Sequence, residues 1–392
     1  MLNYCNIKSV KRLFLSFHIP SNFEAETFVS ASKHLSDRGD GMKTVGLYLH
    51  TPFCRSKCSY CDFFSGTADE SEYERYTYEL IEKISFWGEK VAEPVSSVYF
   101  GGGTPSVLGT ARLCGVLEQA KRCFDILPTA EITLEANPES GVSLDFAKLR
   151  SAGFNRLSVG LQSADETELR LLGRIHTPEQ ARLTVKYAQK EGFDNISLDL
   201  MMGIPLQTKD SLKRSIDFCA ACGVKHISSY ILKIEKGTRF YSQREKLQLP
   251  DEDEQAEFYL FAADHLERSG FRQYEISNFA VPSYESRHNS HYWRCGEYIG
   301  IGPSAHSFYR GRRFYYPRDF ERFYKNDLID DGEGGDEAET VMLALRLSEG
   351  LDLKEYEKKF GKPLSPLSMK KIARFTGLGY MKMNGNRVSF TP

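Results

Sequence analysis

The sequence predicts an α/β protein: a parallel sheet wound by helices and curved into a partial (β/α)6 barrel, with a small winged-helix-like domain at its C-terminal end. Three observations carry this. Strand-like and helix-like runs alternate six times between Gly46 and Ser269, polar residues close several of the apolar strands, and the tail switches to three helices and two short strands. The alternation by itself fits an open sheet equally well. Polar residues gathered at the carboxyl ends of parallel strands are what favour the barrel.

In chain order, the strand candidates are Gly46–Leu49, Ser97–Phe100, Glu131–Leu134, Arg156–Leu161, Asn195–Leu200 and His226–Leu232, each a short run of apolar or β-branched residues. Helical patterns follow at Ser71–Lys90, Thr110–Phe124, Leu144–Ala152, Asp165–Leu172 with Pro178–Glu191, Lys209–Cys222 and Glu252–Ser269. From Gly270 to Asp331 the pattern gives way to an aromatic- and glycine-rich stretch, and Asp330–Asp336 reads as a linker. Helices at Ala338–Leu347, Leu353–Phe360 and Leu367–Thr376 come next, then two strands flanking Asn384-Gly385. The chain thus divides into an N-terminal extension (1–41), a barrel core (42–270), a connecting region (271–331) and a small C-terminal domain (332–392). Residues 1–41 show no clear period. Met42, which opens the first strand-like run, is the expected native start. Lys8, Lys11 and Arg12 before Leu13–Phe17 loosely resemble a signal peptide, but the apolar run is short and Pro20 follows at once.

Composition narrows the class. With 41% hydrophobic and 27% charged residues the 392-residue chain reads as soluble and globular, long enough for one large domain and a smaller one. A formal net charge of -2 gives a nucleic-acid role no support. No run is apolar for long enough to span a membrane. Nine cysteines, an odd number with three clustered, do not form a secreted disulfide framework, so the expected location is the cytoplasm.

The chemistry concentrates in His50-Thr51-Pro52-Phe53-Cys54-Arg55-Ser56-Lys57-Cys58-Ser59-Tyr60-Cys61-Asp62-Phe63. Three thiols at this spacing, on a loop just after a strand, can converge on one centre, and thiolate is the soft ligand that iron–sulfur clusters take. Three ligands on a four-iron cubane leave one iron open for chemistry. A structural zinc site wants four closed ligands, usually as two separated pairs; here the fourth would have to be His50 or Asp62. Cys219-Ala220-Ala221-Cys222 falls inside an amphipathic helix and reads, with Cys114 and Cys123, as core.

This loop resembles that of the radical S-adenosylmethionine superfamily. From Met42 onward the chain resembles the branch containing oxygen-independent coproporphyrinogen III oxidase and a related haem chaperone. The resemblance implies an oxygen-sensitive 4Fe–4S cluster on Cys54, Cys58 and Cys61, with its open iron binding an exchangeable S-adenosylmethionine beside Tyr48 and Tyr60. It also implies that Gly102, Gly103 and Thr104, in Phe100-Gly101-Gly102-Gly103-Thr104-Pro105, bind the amino group of that cofactor. Further contacts are implied for Glu135, Gln162 and Asp199, which end the third, fourth and fifth strands, and for Arg174 in Leu172-Gly173-Arg174. Carboxylates there suit ammonium or ribose hydroxyls, and Arg174 suits a carboxylate in a bidentate fork. In the superfamily the reduced cluster passes one electron to the sulfonium, giving methionine and a 5′-deoxyadenosyl radical, while the protein orients the cofactor and excludes water and oxygen.

Two departures separate the chain from the oxidase. Phe63 stands where the oxidase has a further cysteine, and a Pro-Arg-Tyr-Thr-Ser-Tyr-Pro-like arm is missing from residues 1–41. Arg287-His288-Asn289-Ser290-His291-Tyr292-Trp293 fits a His-Asn-x-x-Tyr-Trp string associated with haem in the chaperones, which implies His288 as the haem ligand. His291, Tyr292 and Cys295 are rivals, and a packed, hydrogen-bonded corner is the alternative. Gly300–Ser307 also matches the family, without a role for His306. The expected function is therefore a haem carrier. It would pass haem to an acceptor protein, soluble or membrane-associated, and would need an electron donor for its cluster. The alternative is a radical enzyme acting on a porphyrin, as an oxygen-independent coproporphyrinogen III oxidase or a haem methyltransferase. Relatives continue past a string like Arg387–Pro392 into a closing helical segment, so the small domain is expected to be shorter or truncated.

Overall fold

Apolar residues stand at every second position of the barrel strands, and this alternation builds the sheet. The computed structural model describes residues 43–391; the expectations for residues 1–41 and for a start at Met42 lie outside the described residues. Six parallel strands follow one another as neighbours: β1 (Val45–Thr51), β2 (Val95–Gly102), β3 (Ile126–Ala136), β4 (Arg156–Gln162), β5 (Asn195–Met202) and β6 (His226–Ile231). The main helices between and after them are α1 (Glu70–Gly88), α2 (Gly109–Cys123), α3 (Phe146–Ala152), α4 (Glu166–Leu172), α5 (Pro178–Lys190), α6 (Lys209–Ala221) and α7 (Glu252–Arg268). Local chemistry sets several starts: Asp69 with Glu72, Thr177 with Gln180 and Asp251 with Glu254 form capping boxes on α1, α5 and α7.

One side of β1 to β5 is apolar and lies under the helices. Leu47, Leu49, Val98, Phe100, Leu134, Leu157, Val159, Leu161, Ile196, Leu198 and Leu200 are all buried in one core, each contributing about 1.5–3 kcal/mol. The alternate side is polar through the depth of the barrel. Its residues bond to one another across strands: Ser158 to Asp199, Ser197 to His226, Tyr99 to Glu135. The sequence pattern foresaw polar strand ends; it did not foresee a polar lumen.

Residues 270–331, expected to be irregular, extend the sheet at both edges. β7 (Arg272–Glu275) and β8 (Asn278–Ala280) join antiparallel beyond β6. After helix α8 (Arg287–Trp293), β9 (Tyr298–Ile301) pairs in parallel with β1, and β10 (His306–Tyr309), β11 (Arg312–Tyr315) and β12 (Ile329–Glu333) continue that edge antiparallel. The twelve-stranded sheet runs β12-β11-β10-β9-β1-β2-β3-β4-β5-β6-β8-β7. The expected linker Asp330–Asp336 is thus partly strand. Strands of three to five residues are too short for a period to show.

The C-terminal part contains α9 (Glu337–Ala344), β13 (Leu351–Asp352), α10 (Leu353–Phe360), α11 (Pro366–Gly377), β14 (Met381–Asn384) and β15 (Arg387–Phe390), with the three strands in a small sheet. It is tied to the barrel. Arg313 of β11 pairs with Glu339 of α9 at 2.6 Å, both side chains buried, and Ser348 N–H donates to Tyr274 O at 2.9 Å. Among the described residues no helix is long and apolar enough to cross a membrane.

Candidate functional site

The loop after β1 carries Cys54, Cys58 and Cys61. All three are half-buried and none is in a disulfide. Backbone bonds hold the loop: Cys54 N–H to Gly66 O at 2.8 Å, Ser59 N–H to Leu172 O at 3.0 Å, and Phe240 N–H to Ser59 O at 2.8 Å. Lys57 Nζ adds a bond to Ser65 Oγ at 2.9 Å. Gly173, at φ +75, makes the contact with α4 possible, because a Cβ there would lie 3.0 Å from Ser59 Oγ. Burial pushes the Cys61 thiol up to about 11. Among the described residues no three His, Cys, Asp or Glu side chains gather tightly enough to hold a single metal ion. A cubane does not need that, since each thiolate takes a different iron.

The loop after β2 lies flat on this one. Gly103 N–H donates to Thr51 O at 2.6 Å and Thr104 N–H to Phe53 O at 2.7 Å. A Cβ on Gly103 would meet Phe53 O at 2.5 Å, and one on Gly102 the His50 ring at 2.8 Å. The glycines therefore serve approach of chain to chain, whatever they also offer a ligand. His50 is itself fixed: its Nε2 donates to Phe64 O at 3.2 Å, and Tyr48 O–H donates to its Nδ1 at 2.8 Å.

Glu135 and Gln162 stand at the ends of β3 and β4 as expected, whereas Asp199, expected to end its strand, lies inside β5, which runs on to Met202. Glu135 accepts from Tyr99 O–H at 2.7 Å and from Gly102 N–H at 3.2 Å. Burial pushes its carboxyl up to about 7, and the Asp199 charge adds to this. Asp199 accepts from Ser158 at 3.1 Å and Ser197 at 3.3 Å. Gln162 is held at φ +69, a conformation rare outside glycine, where the pairing of β4 with β5 shifts register. Arg174 reaches across the rim: its Nη1 donates to Asn137 Oδ1 at 2.9 Å and its Nη2 to Tyr60 O–H at 2.6 Å, while its Nε is buried without a partner. Sequence reasoning gave Asn137, two residues after Glu135, no role. Its signal was an asparagine in a helix-starting Asn-Pro pair, a cap position whose side chain caps nothing. The residues present fit the implied groups: three unbridged thiols for iron, two inward carboxylates for ammonium or hydroxyls, and a spare guanidinium N–H for a carboxylate.

His288 lies elsewhere, at the amino ends of the strands. It is 1% exposed. Its Nδ1 bonds Ser97 Oγ at 2.7 Å, its Nε2 bonds Tyr292 O–H at 2.5 Å, and its ring stacks on Tyr99 at 5.0 Å. α8 plugs this end: Glu131 accepts the N–H groups of Arg287 and His288 at 3.0 and 2.9 Å. Of the rivals, His291 Nε2 donates to Glu297 O at 2.7 Å and Cys295 is buried. His306 is half-buried and stacks on Tyr315 at 4.8 Å; the loop before it touches the His50 backbone, on the rim shared with the cysteines.

Residues 48–219 match the family model of the radical SAM superfamily, and residues 338–392 that of the HemN C-terminal domain. The structure of the Escherichia coli coproporphyrinogen III oxidase HemN shares the fold, with a TM-score of 0.76 over 89% of this chain and 87% of that one at 22% identity. The fold and the three-cysteine loop define a radical S-adenosylmethionine protein. Curated relatives named Heme chaperone HemW are 37% identical in Mycobacterium tuberculosis, over 79% of this chain and 83% of that protein, and 33% identical in Bacillus subtilis, over 82% and 88%. A Bos taurus protein named Radical S-adenosyl methionine domain-containing protein 1, mitochondrial, is 40% identical over 68% of this chain and 61% of its own length. The chain belongs to the HemW family.

Proposed function

We propose that the protein binds haem and hands it to an acceptor protein in the cytoplasm, or at a membrane from its cytoplasmic side. We further propose that it carries a 4Fe–4S cluster on Cys54, Cys58 and Cys61 and an exchangeable S-adenosylmethionine. The observation that supports this best is the meeting, on one rim, of the three-thiol loop with Glu135, Arg174 and Asp199, in a chain whose relatives are named haem chaperones. When bound, the cluster supplies an open iron and a one-electron reductant that an external donor must recharge. The chain's own part is to orient and to exclude water. Arg174 has a spare Nε–H for a carboxylate. Glu135 and Asp199 suit an ammonium group or ribose hydroxyls. Gly102, Gly103, Thr104, Gln162, Tyr48 and Tyr60 complete the proposed cofactor set.

His288 is the proposed haem ligand, and it carries a structural condition. With both ring nitrogens bonded and the ring buried, it reaches haem iron only if α8 withdraws from the barrel. Anaerobically reconstituted protein titrated with haemin tests the function, with His288→Ala and His306→Ala alongside wild type. A stoichiometric haemin complex is expected, weakened in His288→Ala. Loss in His306→Ala alone would move the ligand to the cysteine rim. Absence of specific haemin binding would sink the carrier reading.

A further inference from the structure

Five side chains on the rim, Tyr60, Arg174, Asn137, Thr104 and Cys54, form one hydrogen-bonded line whose polarity is dictated by Arg174. Arg174 can only donate. Its Nη1 bond at 2.9 Å therefore assigns the Asn137 oxygen, and the Asn137 amide nitrogen is left to donate to Thr104 Oγ1 at 3.0 Å. Thr104 thus accepts through its oxygen, and its proton is directed at Cys54 Sγ, 3.4 Å away. Arg174 continues the line through Nη2 to Tyr60 O–H at 2.6 Å, beside Cys61.

The surroundings are built for this line. Thr104 is 2% exposed. Asn137 stands at a helix start, where asparagine ordinarily caps, yet its side chain makes no cap bond and is spent on the line instead. Its backbone N–H is held by Ser106 Oγ at 3.3 Å. Gly160 leaves the space, since a Cβ there would lie 2.9 Å from Asn137 Oδ1.

Resting on the reading that Cys54 ligates the cluster, we propose that Thr104, oriented by Asn137, tunes the cluster's redox potential through its O–H···S bond. A donor at a ligating sulfur draws electron density off it and stabilises the reduced, more negative cluster, so it raises the potential. Thr104 and Asn137 are positioning residues in this role, and Arg174 serves the cluster as well as any carboxylate it binds.

The test is an EPR-monitored potentiometric titration of anaerobically reconstituted wild type, Thr104→Val, Thr104→Ser and Asn137→Ala, without S-adenosylmethionine, after iron and sulfide content has been measured. Thr104→Val is expected to shift the midpoint to lower potential, on the order of tenfold in the reduction equilibrium, or ~59 mV for one electron. Asn137→Ala is expected to shift it in the same direction by less, and Thr104→Ser to keep the wild-type value. An unchanged midpoint in Thr104→Val overturns the proposal. Should that variant fail to take up a cluster, an unchanged midpoint in Asn137→Ala overturns it instead. If wild type forms no 4Fe–4S cluster, or Cys54→Ala keeps it intact, the cluster reading itself has failed and the tuning role goes with it.

Discussion

Among the described residues four histidines are buried, and burial disfavours their charged form, which shapes the response to acid. Burial holds His50 and His176 down at about 4 and lowers His226 and His288 as well. The unfolded chain takes these protons near pH 6.5 and the folded chain resists until about 4. Their stabilisation is therefore present above 6.5 and lost as pH falls toward 4, by up to about 3 kcal/mol each for His50 and His176. The urea midpoint of the cluster-free protein is expected to fall through that window, and less steeply in His176→Gln; a midpoint flat from pH 7 to 4 would contradict this. Arg156 is the other costly residue. It is 1% exposed, burial opposes its charge, and the Glu131 charge compensates it. Arg156→Ala should cost about 2–5 kcal/mol in denaturant unfolding, because it removes a large buried side chain and leaves a cavity.

Elements here are placed by their ends. α8 starts at Ser286, fully buried, which accepts from Asn289 N–H at 3.3 Å, while Glu131 takes the first two N–H groups. Ser286→Ala should cost about 1 kcal/mol by thermal or urea melt. If α8 must withdraw to expose His288, the same variant should also bind haemin faster; stopped-flow absorbance would show it. The β2 loop gives a sharper contrast. Gly103→Ala drives a methyl into the Phe53 carbonyl, whereas Gly115→Ala, in α2, meets nothing within 4 Å. Cluster yield on reconstitution should collapse in the first and hold in the second. Equal yields would remove the close approach of the two loops from the account of cluster binding.

For the whole molecule, the C-terminal part and the barrel share buried charge and backbone pairing. Glu339 meets Arg313 at 2.6 Å with both buried, and Arg346 meets Glu275 at 3.3 Å next to the Glu275–Leu347 bridge. Glu339→Ala leaves Arg313 buried without this partner and should cost about 3–5 kcal/mol. Hydrogen exchange is expected to show α9 to β15 opening ahead of the barrel in that variant. Uniform exchange with unchanged stability would show that the pair does not couple the two.

What the sequence determined by itself was local and periodic. The six barrel strands, their helices and the tail elements were legible because apolar spacing and capping residues act within a few positions. The cysteine loop was legible because three thiols at close spacing carry their chemistry with them. The alternation Glu131-Ile132-Thr133-Leu134-Glu135 was also in plain sight, yet its meaning, a polar lumen, depends on strands brought side by side from across the chain. Only the tertiary structure decided that Asn137 would turn from its cap to Thr104 and Arg174, that residues 270–331 would become sheet, and that the His288 ring would lie at the barrel floor with both nitrogens bonded. These are contacts between segments far apart in sequence. Hydrogen-bond direction and burial exist only once the partners have met.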